Sequence, residues 1–163
     1  MRVDPVEDLP GRVRRVLNFL QAKDIPYQLR RFDEPAHHAS QASVLLGCQL
    51  GAVVKSLVFA SEDQDEIYLL LISGANRVDL EHLKTTLGVR LTPANPDVVL
   101  EKTGYPVGSV PPFGFENAFP VVIDADLMDI PFLWASAGEP SALVQIRSKD
   151  LPLLTGGRIQ PIH

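Results

Sequence analysis

The chain has 163 residues, 45% of them hydrophobic and 21% charged, and a formal net charge of −5. That is enough chain for one domain with a substantial core, and no uncharged apolar run approaches the ~20 residues that span a bilayer. The acidic balance excludes a protein that coats long stretches of duplex by neutralising phosphates, though not one that touches the end of a nucleic acid.

The charge is uneven. Residues 1–60 carry eight Lys/Arg against six Asp/Glu, and residues 61–163 carry seven against fourteen. The first residues, Met1-Arg-Val-Asp-Pro-Val-Glu-Asp8, carry acids and lack the apolar run of a secretory signal. A single cysteine cannot form an internal disulfide, so the expected setting is a reducing cytoplasm.

In chain order, Glu7 to Lys23 has Val13, Val16, Leu17 and Leu20 at helical spacing, with Arg12, Arg14 and Arg15 largely on the other side. Those arginines read either as a solvated face or as a weak phosphate-facing patch. Pro26 ends the segment, and Tyr27 to Phe32 alternates as a strand does. The polar loop 33–40 contains His37 and His38, whose adjacency lacks the spaced partners of a metal site, and no metal is expected. Ser40 is the expected cap of a short helix over 41–46 that Gly47 ends. Cys48 reads as a small hydrophobe more readily than as a nucleophile.

The stretch Gly51 to Ala60 is the expected central strand: wholly apolar or small except for Lys55 and Ser56, and rich in β-branched residues. Alternation puts Val53, Lys55, Leu57 and Phe59 on one face. An ammonium group in such a row either snorkels from an edge strand or serves a pocket. A charged turn over 61–66 and an apolar run over 67–73 complete an expected hairpin. Asp79 is the expected N-cap of a helix that closes at Gly88, 89–91 a short strand, and Pro96 the start of a helix that closes at Gly104.

Residues 103–114, Thr-Gly-Tyr-Pro-Val-Gly-Ser-Val-Pro-Pro-Phe-Gly, combine glycines and prolines with apolar residues and contain no charge. Flexible linkers are polar, so this is either a rigid turn or a loop that aims main-chain N–H groups at a ligand oxygen. Expected strands follow over 119–123, 132–138 and 143–147, with Asp124, Asp126 and Asp129 as turn and cap residues. Ser148 is the expected cap of a last helix through Leu154, before a tail through Arg158, Ile159, Gln160 and Pro161. The pattern predicts a mixed α/β (α+β) domain.

Val54-Lys-Ser-Leu-Val-Phe59, Asn76-Arg-Val-Asp-Leu80, Leu87-Gly88, Thr103-Gly-Tyr-Pro-Val-Gly108, Pro111-Pro-Phe-Gly114, Val122-Ile-Asp124 and Ala135-Ser-Ala-Gly138 occur in an order and spacing that resembles the YbaK family, the prolyl-tRNA-synthetase-associated or aminoacyl-tRNA editing domains. The resemblance covers nearly the whole chain. It implies a single free-standing editing domain over 1–163, built on a curved, partly barrel-like mixed sheet surrounded by short helices. The implied activity is that of a hydrolase, an aminoacyl-tRNA deacylase that cleaves the ester of a mischarged tRNA, with tRNA for proline the implied acceptor. It also implies that Lys55 is the catalytic lysine, contacting the ester carbonyl or the terminal phosphate. Gly108-Ser109-Val110-Pro111-Pro112 would be the substrate loop, and Ser136 to Gly138 a small-residue wall of the amino-acid pocket. Ser56 follows the lysine, and no histidine lies between His82 and His163. Both features depart from the alanine-specific branch and resemble the cysteine-specific branch or a less defined one. The implied partners are the acceptor end of a mischarged tRNA and prolyl-tRNA synthetase, with no cofactor and no membrane. No side chain stands out as a general base, so water or a substrate thiol is the expected nucleophile. A non-catalytic tRNA-end or protein-binding module, or a small-ester hydrolase, are the rival readings.

Overall fold

The computed structural model describes residues 8–163, so Glu7, the expected start of the first helix, lies outside them. Helix α1 (Gly11–Ala22) buries Val13, Val16, Leu17 and Leu20, the stripe its spacing predicts, and Arg12, Arg14 and Arg15 are exposed. Strand β1 (Gln28–Arg31) follows.

Helix α2 (Ala39–Leu46) starts one residue before the expected cap. The Gln41 side chain accepts hydrogen bonds from the His37 and His38 main-chain N–H groups at 3.0 and 3.2 Å, so Gln41 rather than Ser40 secures this end. The expected central strand begins later than predicted. Leu50–Ala52 forms a 3₁₀ turn, and β2 runs over Val54–Ser61. It pairs antiparallel along its length with β3 (Ile67–Ser73).

Helix α3 (Leu80–Leu87) is capped by Asp79, whose carboxylate accepts from the Glu81 and His82 N–H groups at 3.1 Å. Strand β4 (Leu91–Pro93) is displaced two residues from its expected place, and α4 (Pro96–Thr103) follows. Strands β5 (Val121–Asp124), β6 (Phe132–Glu139) and β7 (Ala142–Arg147) fall where the apolar runs predict them. The last predicted helix divides into a 3₁₀ turn, Ser148–Asp150, and α5 (Leu151–Thr155). The tail forms a strand the periodicity does not reveal, β8 (Arg158–Gln160).

Two sheets result. One has three strands in the order β1-β7-β6, the other five in the order β4-β2-β3-β5-β8. The five-stranded sheet is mixed, because β3–β5 and β5–β8 pair in parallel. Its two faces bury different residues, as strand alternation requires. Val54, Leu69, Leu71 and Ile123 pack toward α1 and the three-stranded sheet. Phe59, Leu70, Ile72 and Val122 pack with Leu83 of α3. Among the described residues, strand hydrogen bonding joins the two sheets at one place, a parallel bridge between Val53 and Trp134, and beyond it β2 and β6 are not paired. This pair of sheets with five helices is the mixed α/β arrangement that the sequence pattern predicts.

Candidate functional site

Beside β2 and β6 lies a cavity of about 460 Å³, lined by Val53, by residues 54–59 of β2 and by His37, His38, Gly108, Val110, Ser136 and Glu139 among others. That is within the usual range for a small-ligand site. Consecutive residues of β2 can line one cavity only if it wraps the edge of the strand rather than facing one side of the sheet.

Lys55 lies on the α3 side of that edge. Its ammonium donates to the main-chain carbonyl of Asn76. Its pKa is lowered, first by burial and then by the nearby Arg77 guanidinium, while Asp124 acts in the opposite sense. Arg77 belongs to the anchor Asn76–Leu80 but was given no role from the sequence, and it places a second cation near Lys55. Asp124 organises this region. It is 1% exposed and its carboxylate accepts from the Ser73 N–H (3.0 Å), the Asn76 side-chain amide (2.8 Å) and the Asp126 N–H (3.0 Å). The loop carrying the carbonyl that holds Lys55 is thereby fixed to the end of β5.

Ser56 faces the opposite side of the sheet from Lys55, and its Oγ is buried with no hydrogen-bond partner. Of the residues singled out in the Gly/Pro loop, Gly108 and Val110 line the cavity. Ser109, Pro111 and Pro112 are buried and fix the loop from behind. Ser109 donates its N–H to the Pro106 carbonyl at 3.0 Å, so that group is already engaged. Phe113, at the end of the loop, stacks on Phe19 of α1 with ring centroids 5.5 Å apart.

Ser136 lines the cavity and ties the loop to β6, its hydroxyl donating to the Ser109 carbonyl (3.0 Å) and accepting from the Gly138 N–H (3.1 Å). Gly138 is buried behind the lining at φ +102°, where an added Cβ would stand 2.9 Å from the Arg12 carbonyl oxygen. It is a close-approach residue between β6 and α1.

The arginines of α1 are not in the cavity. Arg12 reaches it indirectly, 3.9 Å from Glu139 on the rim, and Arg15 lies over the Tyr105 ring at 5.8 Å. His37 and His38, considered in the sequence only as metal ligands, are instead cavity-mouth residues. Among the described residues no group of three or more His, Cys, Asp or Glu side chains could hold a metal ion. Cys48 is outside the lining, and burial, the largest influence on it, raises its pKa, which disfavours the thiolate a nucleophile needs. Among the described residues no helix is long and apolar enough to cross a membrane.

Residues 33–153 match the aminoacyl-tRNA editing domain family, and the chain belongs to that family. Over 120 residues it is 28% identical to the uncharacterised protein YwhH of Bacillus subtilis (strain 168), covering 74% of this chain and 76% of that protein. A 73-residue stretch is 36% identical to proline–tRNA ligase of Thermosipho melanesiensis, covering 44% of this chain but 13% of the ligase. The crystal structure of a candidate trans-editing enzyme for prolyl tRNA synthetase superposes with a TM-score of 0.87 at 35% identity, covering 95% of this chain and 98% of that one.

Proposed function

We propose that this protein is a trans-acting aminoacyl-tRNA deacylase that hydrolyses the ester of tRNA for proline mischarged with cysteine or another small amino acid. The observation that carries the proposal is the cavity itself, in which Lys55, Ser56, Gly108, Val110 and Ser136 come together from three separate parts of the sequence. The likeness to a proline–tRNA ligase segment and to a candidate prolyl trans-editing enzyme supports the choice of tRNA.

An aminoacyl ester is already activated, so positioning and charge stabilisation supply most of what hydrolysis requires. Lys55, with the Arg77 guanidinium nearby, offers positive charge to the last phosphodiester of the acceptor end, on the 5′ side of the terminal adenosine. The Gly108 loop covers the terminal ribose. Water, or the substrate's own thiol when the amino acid is cysteine, attacks the ester carbonyl. Val58, Val99 and Val110 line the cavity and belong to one apolar cluster, a surface that suits a short apolar side chain. The acidic C-terminal part of the chain makes free tRNA a weak ligand, so prolyl-tRNA synthetase is the proposed partner in delivery.

The test is release of amino acid from a panel of mischarged tRNAs by the parent protein and by Lys55→Ala. The expected outcome is hydrolysis of Cys-tRNA for proline by the parent and a loss of at least about 100-fold in kcat/KM in the variant, the scale of a lost charged contact. Equal rates for the two proteins would remove Lys55 from the mechanism. Retained tRNA binding with no hydrolysis of any member would favour a binding module, and hydrolysis that persists on small esters without tRNA would favour a small-ester hydrolase.

A further inference from the structure

Main-chain groups of β2 divide between its two sides in a way that several hydrogen bonds fix. The Gly74 N–H donates to the Val53 carbonyl at 2.7 Å, and the Ser61 N–H donates to the Glu66 carbonyl at 2.9 Å. Odd-numbered residues therefore direct their N–H and C=O toward β3. In a strand both groups of one residue leave on the same side and neighbours alternate, so Val54, Ser56, Val58 and Ala60 direct theirs away from β3. The Ala94 N–H donating to the Val58 carbonyl at 3.1 Å agrees with this.

Among the described residues, strand pairing occupies that second side only at its ends. Strand β4 pairs with residues 59–61, after which Pro96 turns the chain into α4. At the other end the bridge from Val53 to Trp134 is isolated and does not extend along β6. Ser56 stands in the gap with no strand residue in register on that side, and it lines the cavity. Its hydroxyl oxygen is buried without a hydrogen-bond partner among the described residues. Native chains rarely leave such groups unmatched in a partly buried strand.

An aminoacyl ester presents the complement of this gap. Its α-ammonium and its ester carbonyl flank one Cα, the same relation that N–H and C=O have in a strand residue. We propose that the main chain of Ser56 is the aminoacyl-binding subsite: its carbonyl accepts from the substrate α-ammonium, and its N–H donates to the ester carbonyl oxygen, as in one antiparallel β pair. The inference rests on the deacylase reading and names how that site recognises its substrate. In a hydrogen-bonded antiparallel pair the two side chains stand on the same face, so the substrate side chain meets the wall of Val58, Val99 and Val110. The Ser56 N–H then lies where negative charge develops as the water oxygen bonds to the carbonyl carbon. The bond to the ribose oxygen breaks, and a proton from the water ends on that oxygen. The substrate class that follows is esters with a free α-amine; an N-acylated ester loses the ammonium and adds bulk where the β2 edge is close.

Two measurements test this. The first is amide hydrogen exchange of the full-length protein with and without the 3′-amide analogue of cysteinyl adenosine, which cannot be hydrolysed as an ester. Exchange of the Ser56 amide should slow at least about tenfold, the scale of one added hydrogen bond of roughly 1.4 kcal/mol. An unchanged Ser56 amide, whether the analogue binds elsewhere or not at all, overturns the proposal. The second compares Cys-tRNA with its N-acetylated form, for which kcat/KM should fall about 100-fold. Equal hydrolysis of the two removes the subsite and leaves the deacylase reading standing. Hydrolysis of neither ends the deacylase reading, and the exchange measurement then decides the subsite by itself.

Discussion

Lys55 meets the constraint that makes a lysine in an apolar strand unusual by leaving the sheet at its edge. The ammonium finds the Asn76 carbonyl, and the carbonyl is held in place through Asp124. Burial and Arg77 both disfavour the charged form, so the pKa is lowered from its ordinary value of 10.5. The sign of the consequence follows directly. Raising the pH deprotonates Lys55 before an ordinary lysine, so a contact between its ammonium and a phosphate is present at neutral pH and is lost on the alkaline side earlier than at 10.5. Binding of an acceptor-end fragment that ends in adenosine with its 5′-phosphate and a free 3′-hydroxyl, measured from pH 7 upward, should therefore weaken through a limb that Lys55→Arg abolishes, since a guanidinium stays charged throughout. An identical limb in the variant would assign the titration to another group. For stability the sense is reversed. The folded state disfavours the charged lysine, so that penalty is relieved as pH rises through the lowered pKa.

At the scale of elements, most of the fold was legible because the buried stripes have clean periods. The α1 stripe of Val13, Val16, Leu17 and Leu20 and the runs at β3, β6 and β7 each match one regular period. What escaped has a physical reason in each case. Residues 51–53 have strand composition, but a backbone bond from the Val53 N–H to Leu50 O closes a turn there. β8 is three residues long, and two of them are exposed, so no alternation can be read. β4 owes its place to pairing with Phe59–Ser61, a tertiary choice. The candidate site residues could be named from the sequence only through resemblance to a known family, and their geometry was not legible there. Lys55 and Ser56 are adjacent in sequence and face opposite sides of a sheet, and nothing in the spacing reveals that the sheet edge itself is the wall. Ser136 and Gly138 were singled out as pocket wall, whereas Ser136 also clamps the loop and Gly138 sets how closely α1 approaches β6. Gly138→Ala at φ +102°, 2.9 Å from the Arg12 carbonyl oxygen, should destabilise the fold by about 2 kcal/mol or more, read as a lower urea midpoint. A midpoint unchanged within error would mean that α1 can move away freely.

Across the whole molecule the charge is divided: residues 1–60 are slightly basic and residues 61–163 strongly acidic. The exposed arginines of α1 stand beside the cavity rim through Arg12 and Glu139, so a tRNA acceptor stem that follows the end into the cavity would pass the basic part. Replacing Arg12, Arg14 and Arg15 by Gln should weaken tRNA binding and flatten the dependence of log K on log salt by about 2 to 3, one unit per lost phosphate contact. An unchanged slope would place the phosphate contacts elsewhere. The position of the unpaired stretch of β2 has one more consequence. A bare strand edge on the outside of a protein is a template on which another chain can add itself, and the outcome is aggregation. Here the edge around Ser56 faces a cavity that residues of the His37–His38 loop and the Gly108 loop also line, rather than open solvent. Shortening either loop should therefore bare that edge, and the expected outcome is increased self-association, read by light scattering.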